Sequence, residues 1–239
     1  IKNDKEFTSN NPLFPPLDIP IFDTHRLAKG TITARFNFAQ EYITRPDGKM
    51  NLANEKYPTL FASYEKAFAG SEKNYEYDAI YARLNYTLKL GNKGELATNF
   101  KAGKFFGADG ISFADYKHFN GNQTHVGMSE SYLNVFNLLP YYSRSTNDSY
   151  LELHAEYNDK GFIMNKIPLL NLLKTNLILG VHAIGVPDFK PYSEYSVGLD
   201  NLGFGKFKML RLDYVRSYNG SSYQGDGIIF GLKFLNVLN

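Results

Sequence analysis

Polar and apolar residues alternate in steps of two along most of the chain, which is the period of an extended strand and not of a helix. In "AIYARLNYTLKLG" the set Ile80, Ala82, Leu84, Tyr86, Leu88 and Leu90 alternates without error against Ala79, Tyr81, Arg83, Asn85, Thr87 and Lys89. Leu151, Leu153, Ala155 and Tyr157 alternate in the same way with Tyr150, Glu152, His154 and Glu156. So do Leu177, Leu179, Val181 and Ala183 with Asn176, Ile178, Gly180 and His182. The pattern returns in Tyr195, Val197 and Leu199, and again in Leu210, Leu212 and Tyr214. About nine strands are predicted in all, near 31–44, 57–69, 76–90, 94–106, 149–160, 174–185, 192–203, 206–218 and 226–237.

Most of these segments are longer than the ~5–6 residues usual in globular strands and reach the ~9–11 that a tilted strand needs to cross a bilayer. The connections "LGNKGE" and "LGFGKF" read as tight, whereas 107–148, 185–192 and 218–226 read as longer. Short turns on one side and long loops on the other are the habit of outer-membrane barrels. Tyr42, Phe68, Tyr75, Tyr157, Phe162, Tyr218 and Phe234 fall near segment ends, where interfacial aromatics sit. Alternation does not say which face points inward, so a soluble sandwich or lipocalin-like barrel with an apolar interior is the rival. Strand length and loop asymmetry favour the fold class all-β, antiparallel transmembrane β-barrel. Bacterial barrels have even strand numbers, so an odd count points to the C-terminal part of a larger barrel of about 16 strands. Residues 1–29, dense in Pro and Asn, read as a loop leading into a barrel portion at 30–239.

Composition narrows the partners. Hydrophobic residues make up 43% of the chain, and no run approaches the ~20 apolar residues of a membrane-spanning helix. A net charge of +2, from 26 basic and 24 acidic residues, gives no polyanion-binding signal, so nucleic acid is not an expected partner. The absence of Cys removes disulfides and thiolate metal sites together. The chain opens on Ile1 without a signal-peptide pattern, as expected of part of a longer protein.

Candidate chemistry gathers in "DYKHFNGNQTHVGMSESYLN", residues 115–134, which holds two of the five His. Ser129 or Ser131 beside His118 and His125 could be cast as a nucleophile with its base, although a loop rich in Ser, Asn and His yields such pairs by chance. Glu152, His154 and Glu156 face one side and could bind a metal or shuttle protons. Alternate strand residues sit ~6.5–7 Å apart, however, which is long for a compact ligand pair. The plainer reading is the wet inner wall of a polar barrel, with Arg83, Lys89, Arg211 and Asp213 adding charges of both signs. Arg211 and Asp213 could form ion pairs fixing the final strands, contact an inserted loop, or both. The glycosylation-like triplets at Asn85, Asn122, Asn147 and Asn219 carry little weight, because Asn85 lies mid-strand. "NLGFGKF" opens no helix, so it reads as a turn and not a phosphate cradle. Neither catalysis, nor a metal, nor a cofactor is expected.

The order of the last strands carries a resemblance. "NKIPLLNLLK", "KTNLILGVHAIG" and "FGKFKMLRLDYVRSYNG…GIIFGLKFL" together resemble the closing strands of the outer-membrane assembly-factor superfamily, with "MLRLDYV" as the most specific piece. "DYKHFNGNQT", "LLPYYSRST", "LELHAEYNDKGFIMNKIPLL" and "KYPTLFASYEKA" resemble a Bacteroidota family of outer-membrane proteins that carry an N-terminal carboxypeptidase-regulatory-like domain. The function of that family is not established. The resemblance spans about residues 30–237 and implies an outer-membrane protein among lipids and other envelope proteins, assisting assembly, insertion or export. A transport pore or accessory subunit is the alternative, and a barrel hydrolase the lesser one.

The resemblance also implies that loop 107–148 folds into the lumen, with His118, Phe119, Asn120, Gly121, Asn122, Gln123 and Thr124 as its candidate tip. In the superfamily an Arg-Gly pair on this loop grips an acidic wall residue. Here Gly121 and Gly127 have no adjacent Arg, and His182 falls near the place of the wall acid. The grip would then be rebuilt from His118, Asn120, Asn122 and Gln123. Its candidate partners are the inner-wall residues Arg83, Glu152, His154, Glu156, His182, Arg211 and Asp213.

Overall fold

The computed structural model describes residues 2–3, 25–39, 42–51, 56–122, 124–128, 132–168, 170–204 and 207–232. Its strands, in chain order, are β1 (Lys2–Asn3), β2 (Arg26–Asn37), β3 (Tyr42–Arg45), β4 (Gly48–Asn51), β5 (Thr59–Phe68), β6 (Tyr77–Lys89) and β7 (Glu95–Phe106). There follow β8 (Val126–Met128), β9 (Ser149–Asn158), β10 (Asn176–Gly185), β11 (Tyr192–Phe204), β12 (Phe207–Asn219) and β13 (Ser222–Leu232). The fold is all-β. One sheet runs in the order β1-β2-β5-β6-β7-β9-β10-β11-β12-β13-β8, and β3 and β4 form a separate hairpin. Neighbours in the large sheet are antiparallel, apart from the parallel pair β13 and β8. Among the described residues β2 and β13 do not pair with each other, so no ring closes.

The long strands match the predicted segments, with shifted ends. β2 begins at Arg26, earlier than the alternation around Thr31–Phe38 suggests, and so inside the expected 1–29 loop. Arg26, Lys29 and Gly30 blur the pattern, but Leu27 is buried and the antiparallel register with β5 runs from Ala28↔Phe68 to Asn37↔Thr59. The predicted first segment ran into what is instead the start of the β3-β4 hairpin. β13 begins at Ser222, so the long connection expected at 218–226 shrinks to a turn around Gly220. Positions 205–206 and 233–237 lie outside the described residues. At the β6-β7 turn, Gly94 has φ +101, and a Cβ there would run into the Asn158 carbonyl, so glycine is required.

The two faces of the sheet divide by chemistry in the sense opposite to a water-soluble protein. Ile80, Leu84, Leu153, Leu179, Val181, Val197, Leu212, Tyr214, Ile228 and Phe230 are exposed on one face. On the other, Glu152, His154, His182, Glu194, Arg211 and Asp213 are buried, with His154 and Glu194 at 0% exposure. Charged groups are almost never fully buried unless paired, and soluble sheets turn their apolar face inward. The cover over the polar face is the β7-β9 connection, residues 107–148. Its Ala108 and Ile111 pack with Leu27, Tyr77, Ala79 and Phe105, and its Phe119, Phe136 and Leu139 pack with Tyr150, Ile184 and Tyr192. Among the described residues no helix is long and apolar enough to cross a membrane.

Candidate functional site

The site is the contact between the polar face and the inserted segment. Alternation along β9, β10 and β11 sends Glu152, His154, His182 and Glu194 to one side, and the registers His182↔His154 and His182↔Glu194 set the latter three in one row. Glu194 is the anchor. Its carboxylate accepts the backbone N–H of Asn137 at 2.6 Å and of Leu138 at 2.8 Å, and the Tyr192 hydroxyl at 2.8 Å. An ionised carboxylate is acceptor-only, so two main-chain donors and a phenol suit it and leave no buried N–H unanswered. The same turn inserts Phe136, 0% exposed, with ring centroids 4.9 Å from His154 and 6.0 Å from Tyr192.

Behind Phe136 runs a chain of polar contacts. Lys101 donates to Glu152 Oε1 at 2.9 Å, and His154 Nε2 lies 2.7 Å from the same oxygen. His154 Nδ1 and His182 Nδ1 are 2.8 Å apart. Neutral rings satisfy the string when His154 donates through Nε2 to Glu152 and accepts at Nδ1 from His182. Glu152 Oε2 is buried without a hydrogen-bond partner. A second string joins Arg211 to Asp213 at 2.6 and 3.0 Å and to Glu156 at 2.8 Å. Opposite Asp213 stands Gly198, where a Cβ would collide with the carboxylate, so the glycine makes room for the ion pair.

The segment is tied at further points. Asn99 of β7 hydrogen-bonds Asn134. Asp115 meets Lys29 at 2.7 Å and His25 at 3.2 Å, and Arg144 donates to Lys190 O at 2.8 Å and Asn219 Oδ1 at 3.1 Å. Burial pushes the Arg144 guanidinium down from its ordinary value, with Tyr192 opposing the shift. Within the same connection, β8 lies parallel to the end of β13 in the register Phe230↔Val126 to Leu232↔Met128, and Phe230 N donates to His125 O at 2.9 Å.

The expected tip residues sit elsewhere in this arrangement. His118 Nδ1 meets Ser145 Oγ at 2.7 Å, Asn120 Nδ2 reaches Asn134 O at 3.4 Å, and Asn122 Oδ1 accepts from Thr124 N at 3.0 Å and Oγ1 at 2.7 Å. These bonds shape the segment internally, and Phe119 packs on a wall ring, Tyr150, at 5.4 Å. At Gly121 a Cβ would strike the Leu139 carbonyl, and Asn120 O accepts from Phe136 N at 2.8 Å. The tip therefore positions the gripping turn, Phe136 to Leu138, which the sequence pattern did not single out. Glu194 had a signal: it stood on the wet side of its strand, one hairpin partner away from His182. Arg83 lies on the polar face over the Phe61 ring at 4.2 Å. Gln123, Ser129 and Ser131 lie outside the described residues. Among the described residues no group of three or more His, Asp or Glu side chains is placed to hold a metal ion.

Fold and site define a class: an antiparallel sheet that buries its charged face under its own inserted connection and leaves its apolar face bare. Residues 1–199 match the model of the Family of unknown function (DUF5686) C-terminal domain, and the chain belongs to that family. No curated protein and no solved structure matches it.

Proposed function

We propose that the chain is wall and plug of an outer-membrane β-barrel of the assembly-factor kind, working without catalysis in the insertion or export of envelope proteins or lipids. The observation that carries the reading is the reversal of faces: exposed Leu, Val, Ile and Phe outside buried Glu, His, Arg and Asp. A bilayer is the solvent that makes this arrangement favourable, since it accepts the apolar face while the interior keeps the charges paired. The functional element is the sheet edge at β13. A bare edge strand templates further pairing, and here the end of that edge is covered by the short parallel strand β8. Parallel pairing is slightly weaker per residue than antiparallel pairing, and at the middle of this pair Gly231 faces Gly127, with no side chains to pack. Withdrawal of β8 would free the edge for an incoming strand of a client protein.

The test has two stages on the full-length protein. Fractionation should place it in the outer membrane, with gel mobility that changes on boiling; a soluble protein without a shift sinks the proposal. This chain contains no Cys, so with any Cys outside it replaced by Ser a single pair at Val126→Cys and Phe230→Cys can lock β8 to β13. The disulfide should lower the yield of assembled envelope proteins until reductant is added. Unchanged assembly with the bond formed would remove the edge from the mechanism.

A further inference from the structure

The polar face carries a charge arrangement that the Glu194 grip does not use. Across β6 and β7, Arg83 stands directly opposite Lys101 on the polar face. Like charges facing each other across strands are destabilising. The inserted segment adds Lys117, whose backbone bridges Thr146 with N···O distances of 2.8 and 3.1 Å. The bridge holds the side chain beside the Phe119 and Tyr150 rings, with Nζ 5.8 and 5.4 Å from their centroids. Burial pushes the Lys117 ammonium below the usual lysine value; Glu152 opposes that shift and Lys101 adds to it.

The nearby carboxylates are already engaged. Glu152 takes Lys101, Asp115 takes Lys29 and His25, and Glu65 accepts from Tyr77 at 2.8 Å and Thr31 at 3.1 Å. Neither Arg83 nor Lys117 makes an ion pair among the described residues. Arg83, Lys101 and Lys117 line a single cavity of about 530 Å³ between the polar face and the 114–117 stretch, together with the rings of Phe61, Tyr77 and Tyr81, and the engaged groups Lys29, Glu65 and Asp115 lie in the same wall. That volume lies within the ~300–1,000 Å³ range of small-molecule sites.

We propose that this cavity binds a small phosphate-bearing solute, its phosphate held by Arg83, Lys101 and Lys117 and its organic part against Phe61, Tyr77 and Tyr81. Four cations, Lys29 included, stand against the two lining carboxylates Glu65 and Asp115, so the cavity wall carries an excess of positive charge that a phosphate would offset. A phosphate monoester carries roughly −1.5 to −2 charge and three acceptor oxygens, enough to answer all three cations, whereas a carboxylate brings one charge and two oxygens. Arg supplies a planar fork for two of those oxygens and each Lys a point charge. The inference depends on the polar face alone and stands apart from any role of the β13 edge. The phosphate could belong to a free sugar phosphate or to a lipid headgroup, and the experiment separates the two.

The purified full-length protein, in detergent micelles, is dialysed to equilibrium against glucose 6-phosphate, with glucose as the uncharged control and phosphatidic acid in the micelle as competitor. Saturable binding of glucose 6-phosphate that phosphatidic acid leaves in place supports the site and a soluble source; saturable binding that phosphatidic acid displaces supports the site and a lipid headgroup as source. Arg83→Gln and Lys117→Gln should each weaken binding by about tenfold or more, Lys117→Arg should retain most of it, and Lys104→Gln on the opposite face should change nothing. Without ligand, Arg83→Gln and Lys117→Gln should melt no lower than the parent, while the rise in melting temperature on adding phosphate disappears. Absence of saturable binding in the parent, equal binding by all variants, or glucose bound as well as its phosphate would overturn the proposal.

Discussion

On one face of the sheet Val181, Tyr195 and Leu212 are exposed; on the reverse, at adjacent positions of the same strands, His182, Glu194 and Asp213 are sealed from solvent. The difference is one residue step along each strand, yet the two faces hold by different physics. The covered face depends on particular partners, because each buried charge needs its own donor or counter-ion. The bare face depends on a medium, because no part of the described chain covers it. What holds one face therefore says nothing about the other, and each can be broken alone.

The largest effect should come from the covered face. Glu194→Ala strands the N–H groups of Asn137 and Leu138 and the Tyr192 hydroxyl, costing about 4 kcal/mol in unanswered buried donors. The inserted segment should then open to trypsin at Lys117 and Arg144, and Glu194→Gln, which keeps an acceptor, should lose less. Next comes the bare face: Val197→Arg should cost about 3 kcal/mol in a bilayer and almost nothing in water, read by denaturant unfolding in lipid vesicles. A cost near zero in lipid would place that face in an aqueous environment.

A smaller effect lies at the β9-β10 turn, remote from both faces. Asp159, fully buried, accepts N–H groups from Gly161 at 2.9 Å, Ile163 at 2.9 Å, Met164 at 3.1 Å and Leu177 at 2.7 Å. Burial alone would raise its pKa, but the four backbone donors outweigh it and hold the carboxyl below its usual range. A depressed folded value means that the stabilisation is complete above the unfolded pKa of about 3.9 and is lost as pH falls through the folded value. Asp159→Asn should therefore cost about 1–2 kcal/mol at neutral pH, and the gap to the parent should close in strong acid. The smallest effect belongs to the exposed pair Lys160 and Glu95, 2.7 Å apart, whose removal should change stability by no more than about 0.5 kcal/mol.

Much of the sheet was legible because a period of two is a local property. The faces of β6, β9 and β10 could be read from neighbours, and Arg83, Glu152, His154, Glu156, His182, Arg211 and Asp213 do share the polar face. The start of β2 was obscured by Arg26 and Lys29, whose partners lie far along the chain; Lys29 pairs with Asp115. The same distance hid the grip: Asn137 and Glu194 are 57 residues apart, and the bond uses a backbone N–H that no side-chain pattern advertises. The turn around Gly220 was read too long, because Ser222, Tyr223 and Gln224 look loop-like in sequence while the antiparallel register reaches Asn219↔Ser222. Alternation fixes which residues share a face, and only the position of residues 107–148 decides which face is covered.

Contact of the bare face with lipid is read by a fluorophore on Val197→Cys, the one thiol once any Cys outside this Cys-free chain is replaced by Ser. The full-length protein would be reconstituted in vesicles containing lipids brominated along their chains. Strong quenching by the brominated chains is the predicted result. Emission indifferent to bromination, with the label reached instead by aqueous iodide, would contradict the account.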